Sequence, residues 1–245
     1  MPIDNTAAWN RISADEPGGV LPAVDSVQYG PDIDGEAELR LLGSPTGKRV
    51  LEIGCGGGQN LVAMAKQGAH AIGLDFAPPQ LTAVKRLAES EGVRVELHQG
   101  PLSELPFLRA DSVDIAFSAY ALGFVEDLNR VFRQVHRVLK EGAPFAFSMP
   151  HPTYDLIDDD AEEPLLIRRS YFDPTPVEYS WDGQRLADHH RTFAEVFAGM
   201  CRAKFRVDTI LEPEPRGDGP RSRHWRDTFR MVPRTLIVRG RKEGS

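Results

Sequence analysis

The sequence predicts an α/β fold: a doubly wound, mostly parallel seven-stranded sheet with helices on both faces and an antiparallel C-terminal hairpin. Three observations predict it. Short apolar runs alternate with helix-period runs between about residues 50 and 149. A glycine-rich turn joins the first of these strands to the helix after it, and two further strand-like runs follow the last helix. Strands spaced by helices imply right-handed crossovers, and therefore parallel neighbours.

Each element has its own reason. Residues 1–34 carry many Pro, Gly and Asp with little periodicity and read as an N-terminal arm or lid, leaving 35–245 as the main domain. Residues 36–42 have helical spacing and stop at Gly43, which suits the position after a helix end. Residues 50–54 form an apolar strand, and 60–67 a helix with Leu61, Met64 and Ala65 on one face. Residues 71–75 form the next strand. The helix after it opens on Pro78-Pro79, where a missing N–H costs nothing, and carries Leu81, Val84, Leu87 and Ala88 inward. Strands follow at 93–98 and 112–118. Residues 128–140 are a helix with Val131, Val135, Val138 and Leu139 on one face, and 144–149 a strand. There the alternation breaks. Residues 151–190 mix acids, prolines and aromatics and read as a substrate-side insertion; a helix at 192–203 and strands at 205–211 and 235–239 close the sheet.

Bulk properties narrow the function. A chain of 245 residues with 41% apolar and 27% charged residues is ordinary for a soluble globular protein. The net charge of -7, with a pI near 5.5, argues against a nucleic-acid partner. No apolar run reaches the length of a membrane span, and Met1-Pro2-Ile3-Asp4-Asn5 lacks the pattern of a secretory leader. Cys55 lies in the glycine turn and Cys201 in a helical run, so neither a disulfide framework nor a metal site is expected. The expectation is a cytoplasmic monomer or homodimer.

The glycine turn carries the chemistry. Gly54, Gly56 and Gly58 let a nucleotide-like ligand approach the backbone. A dinucleotide fingerprint would require glycine at 59, where the chain has Gln59. Glu52 stands two residues before the first glycine, where it would repel a pyrophosphate but suits the ammonium of a methionine moiety. Asp75 ends the second strand 17 residues after Gly58, near the offset of an acid that grips ribose hydroxyls.

These pieces resemble class I S-adenosylmethionine-dependent methyltransferases, in particular the ubiquinone- and menaquinone-biosynthesis-like branch. The resemblance covers about residues 36–150. It rests on Val50-Leu51-Glu52-Ile53-Gly54-Cys55-Gly56-Gly57-Gly58, Gly73-Leu74-Asp75, Leu105-Pro106-Phe107 and the stretch from Val131 to Gly142. It implies that Glu52 and the glycines Gly54, Gly56 and Gly58 face the methionine part of the cofactor. Asp75 would face the ribose and Phe76 the adenine, with Cys55, Asn60, Gln80, Pro101 and Leu102 as further cofactor-binding candidates. Ser118, after the fourth strand, would lie near the methionine. Two departures stand out. Gly100-Pro101-Leu102 replaces the usual Gly-Asp-Ala, leaving the Leu102 N–H for adenine, and Gly123-Phe124 replaces a common His-His.

Methyl transfer from a sulfonium is an in-line substitution, so the protein chiefly aligns and desolvates the reactants. A base helps only when the acceptor arrives protonated. Tyr120, His151 and His190 are the candidates near the carboxyl ends of the strands, with His189 beside them. Tyr154, Tyr171, Phe172, Tyr179 and Trp181 are candidates for an apolar lid. The acids Asp155, Asp158, Asp159, Asp160, Glu162 and Glu163 read as a solvated run. Arg216, Arg221, Arg223, Arg226 and Arg230 make the tail basic without a nucleic-acid motif. A small-molecule acceptor is therefore expected. The competing readings are a macromolecule-directed methyltransferase, an S-adenosylmethionine binder without transfer (a cyclase or regulatory binder), and a nicotinamide enzyme.

Overall fold

The computed structural model describes residues 3–12, 24–159, 161–217, 221–222 and 225–244; Asp160, Arg223 and residues 13–23 of the arm lie outside them, as do Met1 and Pro2. The strands are β1 (Arg49–Ile53), β2 (His70–Asp75), β3 (Glu96–Gln99), β4 (Ile115–Ala119), β5 (Pro144–Pro150), β6 (Val177–Trp181), β7 (Gln184–Asp188), β8 (Phe205–Leu211) and β9 (Thr235–Lys242). The helices are α1 (Asn5–Ile12), α2 (Glu36–Leu39), α3 (Gln59–Lys66), α4 (Pro78–Ser90), α5 (Leu128–Val138) and α6 (Phe193–Arg202). Seven strands form one sheet in the order β3-β2-β1-β4-β5-β9-β8. The first five are parallel, and β9 runs antiparallel to both β5 and β8. This is the doubly wound architecture with its closing hairpin that the sequence predicts.

Side-chain alternation explains why both faces are covered. Val50, Ile115, Phe117 and Ala146 point into one apolar layer, with Leu61, Met64 and Val84 from α3 and α4. Leu51, Ile53, Ala116, Phe145 and Phe147 point into the other, with Val131, Phe132 and Val135 from α5 and Met200 from α6. Strands buried on both faces read as continuous apolar runs, as these do. Helix α6 opens on a capping box, in which Thr192 accepts from the Glu195 N–H and Glu195 accepts from the Thr192 N–H.

Several boundaries differ from the sequence expectation. Helix α2 is a single turn, because the Glu36 carboxylate captures the N–H groups of Leu41, Leu42 and Gly43 at 2.8–3.2 Å. That side-chain competition, with Arg40 in the left-handed region at φ 51°, ends the helix before Gly43. Strand β3 starts three residues late, and β9 continues to Lys242. The second half of the arm is core, not a loose lid: Val27, Tyr29 and Ile33 are buried in the layer with Phe117. The insertion contains a β6-β7 hairpin whose turn, Asp182-Gly183, has both residues at positive φ. Asp-Gly is the favoured pair for such a turn, a signal present in the sequence and not read there. In the tail, Arg216 pairs with Asp34, and Arg221 stacks 3.9 Å from the Trp225 ring, an aromatic partner not anticipated.

Candidate active site

The glycine turn lies where β1 gives way to α3, at the carboxyl end of the central strands. The N–H groups of Gly54 and Cys55 both donate to the Leu74 carbonyl, at 2.8 and 3.1 Å, which ties the turn to β2. Gly54, Gly56 and Gly58 adopt φ values of 70°, 49° and 89°, the left-handed region that favours glycine. Their surroundings separate their roles. A Cβ at Gly54 would lie 2.1 Å from the Ala121 Cβ, and one at Gly58 would lie 2.8 Å from Val84. One at Gly56 would meet nothing within 4 Å. Two glycines thus let chain pack on chain, and the middle one opens onto free space.

Two acids flank the turn. Asp75 accepts from the Gly56 N–H at 3.0 Å through Oδ2 and from the Ala77 N–H at 2.9 Å through Oδ1. The Phe76 N–H also acts on this carboxylate, whose four lone-pair sites still leave room for an incoming hydroxyl. Burial pushes the Asp75 carboxyl up, and those backbone N–H groups pull against it. Glu52 is only 2% exposed, and burial pushes it well above the usual carboxylate range. The Asn60 side chain opposes that shift, the Asp75 charge reinforces it, and the Leu61 N–H opposes it. Its Oε2 has no hydrogen-bond partner. A buried acceptor left unmatched costs about 1–3 kcal/mol, which an ammonium N–H delivered to it would recover. The residues present therefore fit a cationic amino group at Glu52 and a diol at Asp75.

The remaining cofactor candidates divide. Asn60 is clamped to the arm, accepting from the Gln28 N–H at 2.8 Å and donating to its carbonyl at 3.1 Å. Gln80 is buried in the first turn of α4, Phe76 packs half-buried on the core, and Leu102 is buried beside Gly54. Pro101 is exposed. The Cys55 thiol is buried against Gly73, and burial raises its pKa. Ser118 departs from expectation. It is fully buried and donates to the Ile53 carbonyl at 2.8 Å, so its hydroxyl joins β4 to β1.

On the acceptor side, Tyr120 leaves β4 with φ 55°, and its hydroxyl hydrogen-bonds the Thr235 hydroxyl. Burial raises its pKa. His151 is buried, with Nε2 on Glu212 at 2.8 Å and Nδ1 on the Thr153 hydroxyl at 2.7 Å. His190 is buried too, with Nδ1 on Asp155 at 2.7 Å and Nε2 on the Tyr171 carbonyl at 2.9 Å. Both partners of His190 are acceptors, so the doubly protonated ring satisfies them best. The Asp155 hydrogen bond accordingly raises its pKa despite burial. Neither ring presents an unpaired nitrogen. Of the aromatic candidates, Tyr154 packs on Phe229, Tyr179 and Trp181 pack around the Ala8, Ile12 and Leu186 cluster, and Phe172 is 81% exposed.

Two groups stand here that the sequence reading passed over. Asp188, at the end of β7, is 9% exposed, and its Oδ1 has no partner. Burial, then the charge of Asp155, pushes it up to about 7, with Tyr179 and Arg191 pulling down. Arg234, just before β9, has a buried Nη1 with no partner among the described residues and lies 4.5 Å from the Phe229 ring. A polar residue two positions after the inward-facing Leu186 was the available sign for Asp188. Far from this chemistry, a surface hollow of about 510 Å³ lined by Arg49, His70 and Arg94 sits at the opposite, amino ends of β1 and β2.

Known proteins resemble this chain in sequence and in fold. The methyltransferase domain family matches residues 51–147. A Haemophilus influenzae protein of uncharacterized function is 24% identical over 219 residues, spanning 83% of this chain and 85% of its own. The ubiquinone biosynthesis O-methyltransferase of Hahella chejuensis is 36% identical over 102 residues, 42% of this chain and 43% of that enzyme. The chain thus matches under half the length of that enzyme. Among solved structures, a Listeria monocytogenes protein assigned as an S-adenosylmethionine-dependent methyltransferase superposes with a TM-score of 0.70 at 23% identity, over 84% of this chain and 94% of that one. An S-adenosylmethionine-dependent methyltransferase of Mesorhizobium loti superposes with a TM-score of 0.60 at 23% identity, over 83% and 94%.

Proposed function

We propose that this chain, a class I S-adenosylmethionine-dependent methyltransferase by its domain at residues 51–147, methylates a small-molecule acceptor held between the glycine turn and the residue 151–190 insertion. When bound, S-adenosylmethionine supplies a methyl group on a sulfonium, whose bond pair returns to sulfur as an acceptor lone pair takes the carbon. The chain's own residues bind, orient and exclude water. Glu52 offers its unpartnered Oε2 to an ammonium, and Asp75 offers its remaining lone pairs to ribose hydroxyls. Gly56 keeps the space beside them clear. Phe76, Gln80 and Leu102 stand for the adenine end.

The observation that carries the small-molecule reading is the burial of the acceptor wall. His151, Leu186, Asp188 and His190 are all under a tenth exposed, which suits a compact acceptor better than a polymer. The net charge of -7 also disfavours a nucleic-acid substrate. No helix among the described residues is long and apolar enough to cross a membrane. Ubiquinone biosynthesis O-methyltransferases among the relatives add support for a small hydroxylated acceptor. His190, bonded through both nitrogens, is assigned as a pin for the insertion, and Tyr120 and His151 are assigned as orienting groups for the acceptor. The test is incubation with S-adenosylmethionine and a fractionated metabolite extract. Acceptor-dependent S-adenosylhomocysteine is expected. Cofactor binding without turnover on any fraction would favour a non-transferring binder instead.

A further inference from the structure

The acceptor side contains two charged residues, Asp188 and Arg234, each with one buried polar atom that has no hydrogen-bond partner. Gly123 follows β4 two residues after Ala121, which itself packs on Gly54 of the cofactor turn. A Cβ at 123 would lie 2.9 Å from Asp188 Oδ1 and 3.0 Å from its Cγ. The absent side chain at 123 is thus what admits the Asp188 carboxylate from the insertion hairpin to this place, close to the turn. One Asp188 oxygen hydrogen-bonds Tyr179, and Oδ1 bonds nothing. Arg234 immediately precedes Thr235, whose hydroxyl bonds that of Tyr120, three residues before Gly123, and the Arg234 Nη1 has no partner among the described residues. Arg234 lowers and Asp188 raises the pKa of both Tyr120 and Tyr179, so both charges act on the same two phenols. Tyr154 adds a third buried group, its hydroxyl, with no partner. Unmatched donors and acceptors of opposite kind, gathered beside a cofactor turn, are the complement of a missing ligand.

We propose that Asp188 and Arg234 are the acceptor-binding pair, Asp188 Oδ1 taking the hydrogen bond and then the proton of an acceptor hydroxyl while Arg234 holds an anionic group on the same molecule. The acceptor is then a hydroxylated carboxylate. This deepens the methyltransferase reading and rests on it. In the transfer described above, the acceptor oxygen's lone pair forms the new bond to carbon. The O–H bond pair stays on oxygen, and the proton passes to Asp188, which later releases it to water. Asp188 suits that role because burial and the Asp155 charge bring it near neutrality. The groups facing it are Asp155, with its partner His190, and Tyr179, Arg191 and Tyr120. Arg191 is held by the His189, Val125 and Glu126 carbonyls, so its charge acts on Asp188 from a fixed position.

The test is calorimetric binding to the S-adenosylhomocysteine-saturated protein. The probes are hydroxybenzoates, hydroxycinnamates and short hydroxy acids, each with its amide and its deoxy counterpart. The best-bound acid is expected to exceed its amide by about tenfold or more, a preference lost in Arg234→Gln and largely kept in Arg234→Lys. The same acid is expected to exceed its deoxy counterpart in the wild type and not in Asp188→Asn. Acids that bind no better than amides, or a preference that survives Arg234→Gln, would overturn the pair. S-adenosylhomocysteine affinity, measured on the same samples, separates the two failures: its absence in the wild type would overturn the methyltransferase reading and this one with it.

Discussion

Replacing Gly54 by alanine tests how the cofactor turn is built. The new Cβ would sit 2.1 Å from the Ala121 Cβ, more than 1 Å inside ordinary contact, on a backbone held at φ 70°. The left-handed conformation costs an alanine about 1–2 kcal/mol, and overpacking a tight interior about 1–3 kcal/mol. Restricting the unfolded chain returns about 0.4–1 kcal/mol. The net loss is about 1–4.5 kcal/mol, a fall in melting temperature of about 2–18 °C for a chain of this size. Adding Ala121→Gly removes the clash but leaves the backbone strain. The double mutant should therefore recover about 1–3 kcal/mol relative to the sum of the single changes. Thermal melts of the four proteins, with S-adenosylhomocysteine calorimetry on each, measure this. A Gly54→Ala protein that melts with the wild type, or a cycle with no coupling, would refute the packing argument.

Three further outcomes follow from the charged groups. Glu52→Gln should weaken S-adenosylhomocysteine by about 30-fold or more, the cost of leaving a buried charge unmatched, and should raise the stability of the free protein above neutral pH; calorimetry and melts at pH 8 check both. Asp188 is raised from 3.8 to about 7, so its contribution to stability is fully present below pH 3.8 and is lost as pH rises to about 7. Asp188→Asn should therefore melt higher than the wild type above pH 7, and equal melting curves there would contradict the burial argument. His190 is raised above 6.5 by Asp155, so their pairing stabilises fully below pH 6.5 and fades as pH rises beyond the raised value. Asp155→Asn should accordingly cost about 1–3 kcal/mol at pH 6 and less at pH 9, read by denaturant melts.

The sheet was legible because its strands are buried on both faces, and runs such as Val50-Leu51 and Phe145-Ala146-Phe147 leave little other reading. The cofactor turn was legible for a similar reason, since Glu52, the glycines and Asp75 are placed by one strand–turn–helix unit and the neighbouring strand. What escaped depends on contacts distant in sequence. Nothing local marks Val27, Tyr29 and Ile33 as core; they become so because Asn60, some 30 residues on, clamps Gln28. Ser118 looked available at a strand end, and its hydroxyl is consumed by a carbonyl on the adjacent strand. Likewise the two histidines looked free because their partners, Glu212 and Asp155, lie 61 and 35 residues away. Asp188 and Arg234 were hidden for the same reason: Asp188 gains meaning from Gly123, 65 residues before it, and Arg234 from its unpartnered Nη1.

A crystal structure of the protein with S-adenosylhomocysteine bound tests the central claim most directly. The account predicts the amino group of the ligand within hydrogen-bonding distance of Glu52 Oε2, its ribose hydroxyls on Asp75, and its chain passing over Gly56. A ligand seated elsewhere, or a Glu52 oxygen still unpaired with the ligand in place, would contradict it.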